Sequence, residues 1–267
     1  MHTSSQPPEA WERGDAYEGY VGRWSRLVAA TFVDLLDVPP ERRWLDVGCG
    51  SGALTSAILH RTHPATVVGI DASSGFIAYA RRAIDDPRAS FQVGNALDLP
   101  PDMGSFDAVV SGLVLNFVPD AGLMLREMAR VTVDGGVVSV YVWDYAGEME
   151  LMRSFWDAAV RLDSSALELD EGRRFPLCQP EPLRNLFAES GLSDVRVNAI
   201  DVPTVFHDFD DFWAPFLGGQ GPAPGYVISL DAERRTALRD ELKATLPTRP
   251  DGSIPLNARA WMARGTS

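Results

Sequence analysis

The segment Leu45–Gly52, LDVGCGSG, combines residue types and a spacing that suit nucleotide chemistry. The apolar run Trp44–Val47 leads into three glycines at alternate positions, Gly48, Gly50 and Gly52. Residues without a Cβ let a backbone turn sharply and approach a ligand closely. A helix beginning after such a turn presents N–H groups with no partner of their own. Two acids complete the pattern. Asp46 stands two residues before the first glycine, and Asp71 follows Gly50 by 21 residues at the end of the next apolar run. An acid there can take ribose hydroxyls. Gly48, Gly50 and Ala53 also satisfy the dinucleotide pattern G-x-G-x-x-G/A, so an NAD-dependent oxidoreductase is a rival reading. Two features weigh against it. Dinucleotide folds usually carry an apolar residue where Asp46 stands. The single lysine, Lys243, has Arg239 four residues before it, so no Tyr-x-x-x-Lys pair exists.

LDVGCGSG resembles the first motif of class I S-adenosylmethionine-dependent methyltransferases, especially the small-molecule branch with ubiquinone/menaquinone-type enzymes. The resemblance implies that Asp46, Gly48, Cys49, Gly50 and Gly52 border the cofactor. VVGIDAS (67–73) is similar to the second motif, which implies that Asp71, with Ala72 beside it, holds both ribose hydroxyls. FQVGNALDLP (91–100) resembles the segment that packs on adenine, implying Asn95, Ala96 and Leu97 at the ring; many relatives have Asp where Asn95 stands. FDAVVSGLVLNFVPD (106–120) is similar to the fourth strand and its loop, implying Ser111, Gly112 and Leu113 on the methionine side. Many relatives have His where Asn116 stands, so a histidine role is not available there. YEGYVGRWSR (17–26) resembles the segment that closes over the methionine end. It implies contacts from Tyr17, Tyr20 and Arg23, with Arg23 pairing the carboxylate. The likeness covers residues 17–145; the rest matches only in outline.

The reaction implied is transfer of a methyl group from S-adenosylmethionine to a small-molecule acceptor through an O, N or C nucleophile, leaving S-adenosylhomocysteine. In-line positioning does most of this work. A base is needed only where the nucleophile starts protonated. The candidates are His207, in a long insertion, and Asp144, just after the fifth strand. A protein that binds the cofactor without transferring its methyl group is the second rival reading.

The elements that must position these residues alternate. Helical spacing runs from Val21 to Leu36, with Trp24, Leu27, Val28, Phe32, Leu35 and Leu36 near one face, and Pro39-Pro40 stops it. Strands are expected at 44–47, 66–70, 91–93, 108–111 and 137–142, the last entered through a tight turn at Asp134-Gly135-Gly136. Helices are expected at 53–59, 73–84, 122–131, 148–162 and 182–190, followed by strands at 195–200 and 256–262. This alternation predicts an α/β, doubly wound, Rossmann-like sheet. The resemblance implies seven mostly parallel strands in the order 3-2-1-4-5-7-6, the last antiparallel, with helical lid elements. One domain is expected over 1–267, with a tail and lid helix at 1–36. An insertion at 201–255 is expected to form a substrate lid. It carries Phe206, Phe209, Phe212, Trp213 and Phe216, the loop GGQGPAPGY (218–226), and a helix over 231–246. The aromatic cluster would line an apolar acceptor or form the core of the lid.

Bulk properties exclude other classes. The net charge is −13, which disfavours nucleic acid as a partner. Two distant cysteines, Cys49 and Cys178, give neither a disulfide framework nor zinc spacing, and no metal site is expected. No run is long enough to span a membrane, and the polar, acidic start MHTSSQPPEAWERGD does not read as a secretory signal. The expectation is a cytoplasmic monomer or homodimer.

Overall fold

Four consecutive buried residues, Trp44–Val47, make β1 (Arg43–Val47) a strand covered on both faces. It pairs in parallel with β2 (Thr66–Asp71) on one side and β4 (Phe106–Gly112) on the other. β3 (Ala89–Val93) extends the sheet beyond β2, and β5 (Thr132–Trp143) extends it beyond β4, both in parallel. β7 (Ile254–Thr266) runs antiparallel to β5 and to the outer strand β6 (Ser193–Phe206). The order is β3-β2-β1-β4-β5-β7-β6, with seven strands, as expected. The structure is a computed structural model that describes residues 22–218 and 221–267, except for the side chain of Arg23. Tyr17 and Tyr20 lie outside the described residues.

The helices follow from caps and apolar spacing. α1 (Arg23–Leu36) buries Trp24, Val28, Ala29, Phe32, Val33 and Leu36, a stripe at helical spacing. Leu27 and Leu35, expected on that face, are 44% and 50% exposed. α2 (Ala53–Arg61) follows the glycine turn. α3 (Ser74–Ala83) is capped by Ser73, whose side chain accepts from the Phe76 N–H, and α4 (Ala121–Arg130) by Asp120, which accepts from Leu123. α5 (Glu150–Leu162), α6 (Glu171–Arg174) and α7 (Pro180–Glu189) connect β5 to β6. α8 (Phe209–Trp213), α9 (Pro222–Ser229) and α10 (Ala232–Thr245) lie between β6 and β7. Among the described residues, no helix is long and apolar enough to cross a membrane.

Two features differ from expectation. Asp134-Gly135-Gly136 is not a turn into β5 but an irregular stretch within it: the pairing jumps from Phe106↔Thr132 to Ala108↔Val137, a bulge that absorbs the extra residues. β6 does not stop at Ile200. The β5–β7 pairing ends at Trp143↔Ala260, whereas β6 and β7 stay paired to Phe206↔Ile254. The hairpin therefore projects past the carboxyl end of β5 by roughly 20 Å, at about 3.4 Å per residue. The segment between the strands begins at His207 rather than at 201.

The projecting hairpin carries a helical cap. Phe206, Phe212 and Phe216 are fully buried in it. Phe206 packs on Phe212 at 5.3 Å between centroids, Phe212 on Phe216 at 5.5 Å, and Phe216 stacks on Phe155 of α5 at 4.5 Å. Trp24 of α1 meets Phe206 edge-on at 5.5 Å, which joins the cap to the first helix. Four of the cap aromatics named from the sequence, Phe206, Phe212, Trp213 and Phe216, are core of the cap.

Candidate active site

The ends of β1, β2, β3 and β4 meet at one edge of the sheet, and the three glycines turn the chain across it. All three have positive φ: Gly48 +74°, Gly50 +52° and Gly52 +90°. At Gly50 a Cβ would meet nothing within 4 Å, so the turn leaves an open cradle there. At Gly48 it would lie 2.6 Å from Cγ2 of Val114. The turn is held from β2. Gly48 and Cys49 donate their N–H groups to the Ile70 carbonyl at 2.7 and 3.0 Å, and Gly50 donates to Oδ2 of Asp71 at 2.9 Å. The other Asp71 oxygen accepts from Ser73 N–H at 2.8 Å. Asp71 thus joins the glycine turn to the end of β2. No side chain caps α2 above this turn.

Asp46 lies beneath the turn and is fully buried. Its Oδ2 accepts from the Thr55 hydroxyl at 2.7 Å, while its Oδ1 is buried without a partner. Burial pushes its carboxyl up to about 7; the Thr55 hydrogen bond works against this, and the nearby Asp71 charge adds to it. Cys49 turns its thiol away from the cradle, into a small cluster with Ile77, Ala80 and Phe91. Burial pushes that thiol up, out of thiolate range. Only the backbone of Cys49 borders the turn.

The other residues implied for the cofactor sit along the same edge, in different roles. Asn95 is exposed after β3, its Oδ1 accepting from Leu97 N–H at 3.0 Å, and Ala96 and Leu97 are half-buried beside it. Gly94 N–H donates to the Asp71 carbonyl at 3.0 Å, which fixes this segment to β2. Ala72 is exposed. The Ser111 hydroxyl is buried and donates to the Val47 carbonyl at 2.7 Å, so it ties β4 to β1. Gly112 lies under Tyr141, whose Oη would be 2.4 Å from a Cβ. Leu113 has φ +62°, a strained conformation for a residue with a side chain.

The two candidate bases stand in different surroundings. His207 is 91% exposed, and its Nδ1 lies 3.2 Å from Asp208 Oδ2 at the start of the cap segment. Asp144 is buried but committed to its loop: its Oδ2 accepts from Glu148 N–H at 3.0 Å, and its carbonyl accepts from Gly147 and Met149. It organises the exit from β5.

Tyr145, Asp170, Glu171 and Phe175 escaped the sequence reading. Beyond Leu113 the chain turns, with Phe117 N–H donating to the Val114 carbonyl at 2.8 Å. The Phe117 ring meets Phe175 edge-on at 5.2 Å, and Phe175 meets Tyr145 at 5.7 Å. Between Val114 and Phe117, the Nδ2 of Asn116 is buried without a hydrogen-bond partner. The segment carrying Phe175 is pinned by Asp170, which takes two hydrogen bonds from Arg153 at 2.8 and 2.9 Å. It is also pinned by Glu171, which is 3% exposed and accepts from the Trp156 indole. Burial pushes the Glu171 carboxyl up to about 7. The contacts that tie residues 170–175 to α5 and to Phe117 are distant in sequence.

A sheet of this order, with a glycine cradle at the end of β1 and an acid at the end of β2, defines the class I fold of S-adenosylmethionine-dependent methyltransferases. Residues 45–140 match the family model described as a methyltransferase domain. The chain is 32% identical over 178 residues to a demethylmenaquinone methyltransferase of Roseiflexus castenholzii, covering 62% of this chain and 74% of that protein. It is 29% identical over 187 residues to a 2-methyl-6-phytyl-1,4-hydroquinone methyltransferase of Synechocystis sp., covering 69% of this chain but 57% of that one. In structure it resembles the phosphoethanolamine N-methyltransferase 2 of Haemonchus contortus solved with S-adenosyl-L-methionine, with TM-score 0.57 and 18% identity, covering 95% of this chain and 56% of that one. The chain belongs to the methyltransferase-domain family, in its small-molecule, S-adenosylmethionine-dependent branch.

Proposed function

We propose that this chain methylates a small, flat acceptor at an O, N or C nucleophile, with S-adenosylmethionine as the methyl donor. The observation that carries the reading is the open cradle at Gly50, clamped by Asp71. Residues on the edge fit the donor. The half-buried Asp71 carboxylate suits ribose hydroxyls. The unpartnered Oδ1 of Asp46 suits the cationic amino group of the methionine portion. Asn95, with its carbonyl oxygen used by Leu97, keeps an NH2 to offer an adenine nitrogen. When bound, the donor supplies an already electrophilic methyl group. The protein's part is then to hold the acceptor in line and exclude water, worth roughly 7–11 kcal/mol of barrier. The cap on the projecting hairpin, with α1, is the element suited to that exclusion, and we assign residues 207–253 to it. Relatives named for hydroquinone and demethylmenaquinone support a hydroxylated ring. The charge of −13 favours a small molecule over nucleic acid, and two buried free thiols support a reducing, cytoplasmic setting.

The test is thermal unfolding with S-adenosylmethionine, S-adenosylhomocysteine or NAD in excess. At 100 times its dissociation constant a ligand stabilises by about 2.7 kcal/mol, on the order of 5–10 °C here. A rise with the two adenosyl ligands alone is expected, followed by methyl transfer to a hydroquinone. A rise with NAD alone would overturn the reading.

A further inference from the structure

Away from the glycine turn, α5, α9 and α10 leave a cavity of about 340 Å³ between them. Its lining follows from helical spacing. Ala159 and Leu162 stand three residues apart on α5, with Asp163 directly after the helix. Arg234, Ala237 and Leu238 share one face of α10, and Tyr226 of α9 and Leu230 complete the lining. The protein itself holds this frame. The Tyr226 ring packs on Phe155 and Trp156 of α5 at 6.2 and 5.8 Å. Arg161 of α5 donates to Glu241 of α10 at 2.7 Å, and Arg235 donates to the carbonyls of Val227 and Leu230 at 3.2 and 3.1 Å. The volume falls within that of small-molecule sites, roughly 300–1,000 Å³. No lining residue belongs to the glycine turn, to the end of β2 or to the loop after β4.

The lining is apolar except for a cation, an anion and a neutral donor. Among the described residues the Arg234 guanidinium makes no hydrogen bond, and its one ion pair is loose, 3.8 Å from Asp231. Asp163 uses Oδ1 twice, accepting from the Ser165 N–H at 2.9 Å and its hydroxyl at 2.6 Å, and leaves Oδ2 over. The Tyr226 hydroxyl has no hydrogen-bond partner among the described residues. Burial and the Asp163 charge raise it above its ordinary value against the pull of Arg234, so it stays a donor. Arg234 also helps to hold the Asp163 carboxyl low. The three groups therefore act on one another across one cavity. A guanidinium fork takes a carboxylate, and a phenol can donate to the same group. A spare carboxylate oxygen takes an ammonium. A lone anion would meet the repulsion of Asp163, and a lone cation that of Arg234; a ligand carrying both charges meets neither alone.

We propose that this cavity binds an apolar α-amino acid as its zwitterion, with the carboxylate on Arg234 and Tyr226, the ammonium on Asp163, and the side chain over Leu162, Leu230 and Leu238. It is a second small-molecule site, at the seam between α5 and the cap, and it does not rest on the methyltransferase reading. Because its walls belong to both, an occupant ties the cap to α5.

The test is calorimetric titration of the full chain with L-phenylalanine, 3-phenylpropionate and 2-phenylethylamine, which share a ring and differ in charge. L-Phenylalanine is expected to bind more tightly than either analogue by roughly 3–10-fold, between the worth of an exposed ion pair and that of a charged hydrogen bond. Arg234→Gln should lower it to the level of the amine. Asp163→Asn, which keeps an oxygen for Ser165, should lower it to the level of the carboxylate. Ala237→Trp, at an exposed position, should fill the cavity and abolish binding of all three. Hydrogen exchange across α9 and α10 should slow as L-phenylalanine binds. Saturating S-adenosylhomocysteine should leave the L-phenylalanine affinity within about twofold. Absence of saturable binding, a preference that survives both charge variants, or binding that Ala237→Trp leaves intact overturns the proposal. So does exclusion of L-phenylalanine by S-adenosylhomocysteine, which would place it at the donor edge, and so does binding without slower exchange in the cap.

Discussion

Gly48 and Gly50 stand two residues apart in one turn, and a side chain at each would do different damage. Both hold positive φ, so any substitution is strained. At Gly50 the added atoms enter open space, the cradle itself. Gly50→Val should therefore leave a folded protein, with native circular dichroism, that no longer binds S-adenosylhomocysteine; retained binding would remove the turn from the cofactor site. At Gly48 the first added carbon meets Val114 at 2.6 Å. Gly48→Ala should push the Leu113–Phe117 loop aside, lowering the melting temperature as well as the affinity for an aromatic acceptor. Asp46 makes a prediction of a different kind. In the free protein its carboxyl is held near 7 by burial, and its Oδ1 has no partner. A cation bound beside that oxygen favours the ionised form, so the complex holds fewer protons than the free protein near neutrality. Affinity for S-adenosylhomocysteine should therefore rise as pH goes from about 6 to 8 and level off above that, with proton release seen in calorimetry across buffers of different ionisation enthalpy. A flat affinity over that range would place the methionine amino group elsewhere.

At the scale of elements, the sheet divides into a part that local pattern dictates and a part that only pairing dictates. The alternation from Trp44 to Val142 is readable because each strand is a short apolar run and each helix starts at a turn or a cap, such as Ser73 or Asp120. β6 was not readable beyond Ile200, because Asp201 and Pro203 look like breakers. In the structure Asp201 pairs across the hairpin with Arg259 at 2.7 Å, and Pro203 sits in an outer strand, where a missing N–H is tolerated. The same limit hid Phe175 and Glu171. Their significance lies in contacts across 15 to 60 residues of chain, which no local period encodes. The glycine turn and Asp71 were legible because their chemistry needs particular residues at particular spacings. The cap has its own keystone in Phe216, stacked on Phe155 at 4.5 Å and packed on Phe212. Phe216→Ala should cost about 3–5 kcal/mol. Hydrogen exchange should then rise across α8–α10 well before it rises in β1; equal loosening of both would mean that cap and sheet open as one unit.

For the whole molecule, the dependence of stability on pH is set by two groups of carboxylates with opposite signs. Asp86, Glu127 and Asp201 are held low by hydrogen bonds from Arg88, Arg130 and Arg259. Their contribution is present above the ordinary carboxylate range and is lost as pH falls through the lowered values. All three pairs are partly solvated, so the effect is small. Asp46 and Glu171 work the other way. Each is buried, with its carboxyl raised to about 7. Below the unfolded value both states are protonated. As pH rises from about 4 to 7 the unfolded chain ionises first, the folded state holds the extra proton, and stability falls. The growing negative charge of a chain that reaches −13 at neutrality adds repulsion of the same sign. Stability should therefore peak near pH 5 rather than at neutrality. Glu171→Gln isolates one contribution, since its amide oxygen can still accept from the Trp156 indole. The variant should match wild type at pH 4.5 and exceed it at pH 8 by on the order of 3 kcal/mol, about 5–10 °C in melting temperature. Melting curves at the two pH values measure this directly: an offset that is the same at both would mean that Glu171 is already ionised in the folded protein, held by its neighbours rather than neutralised by burial.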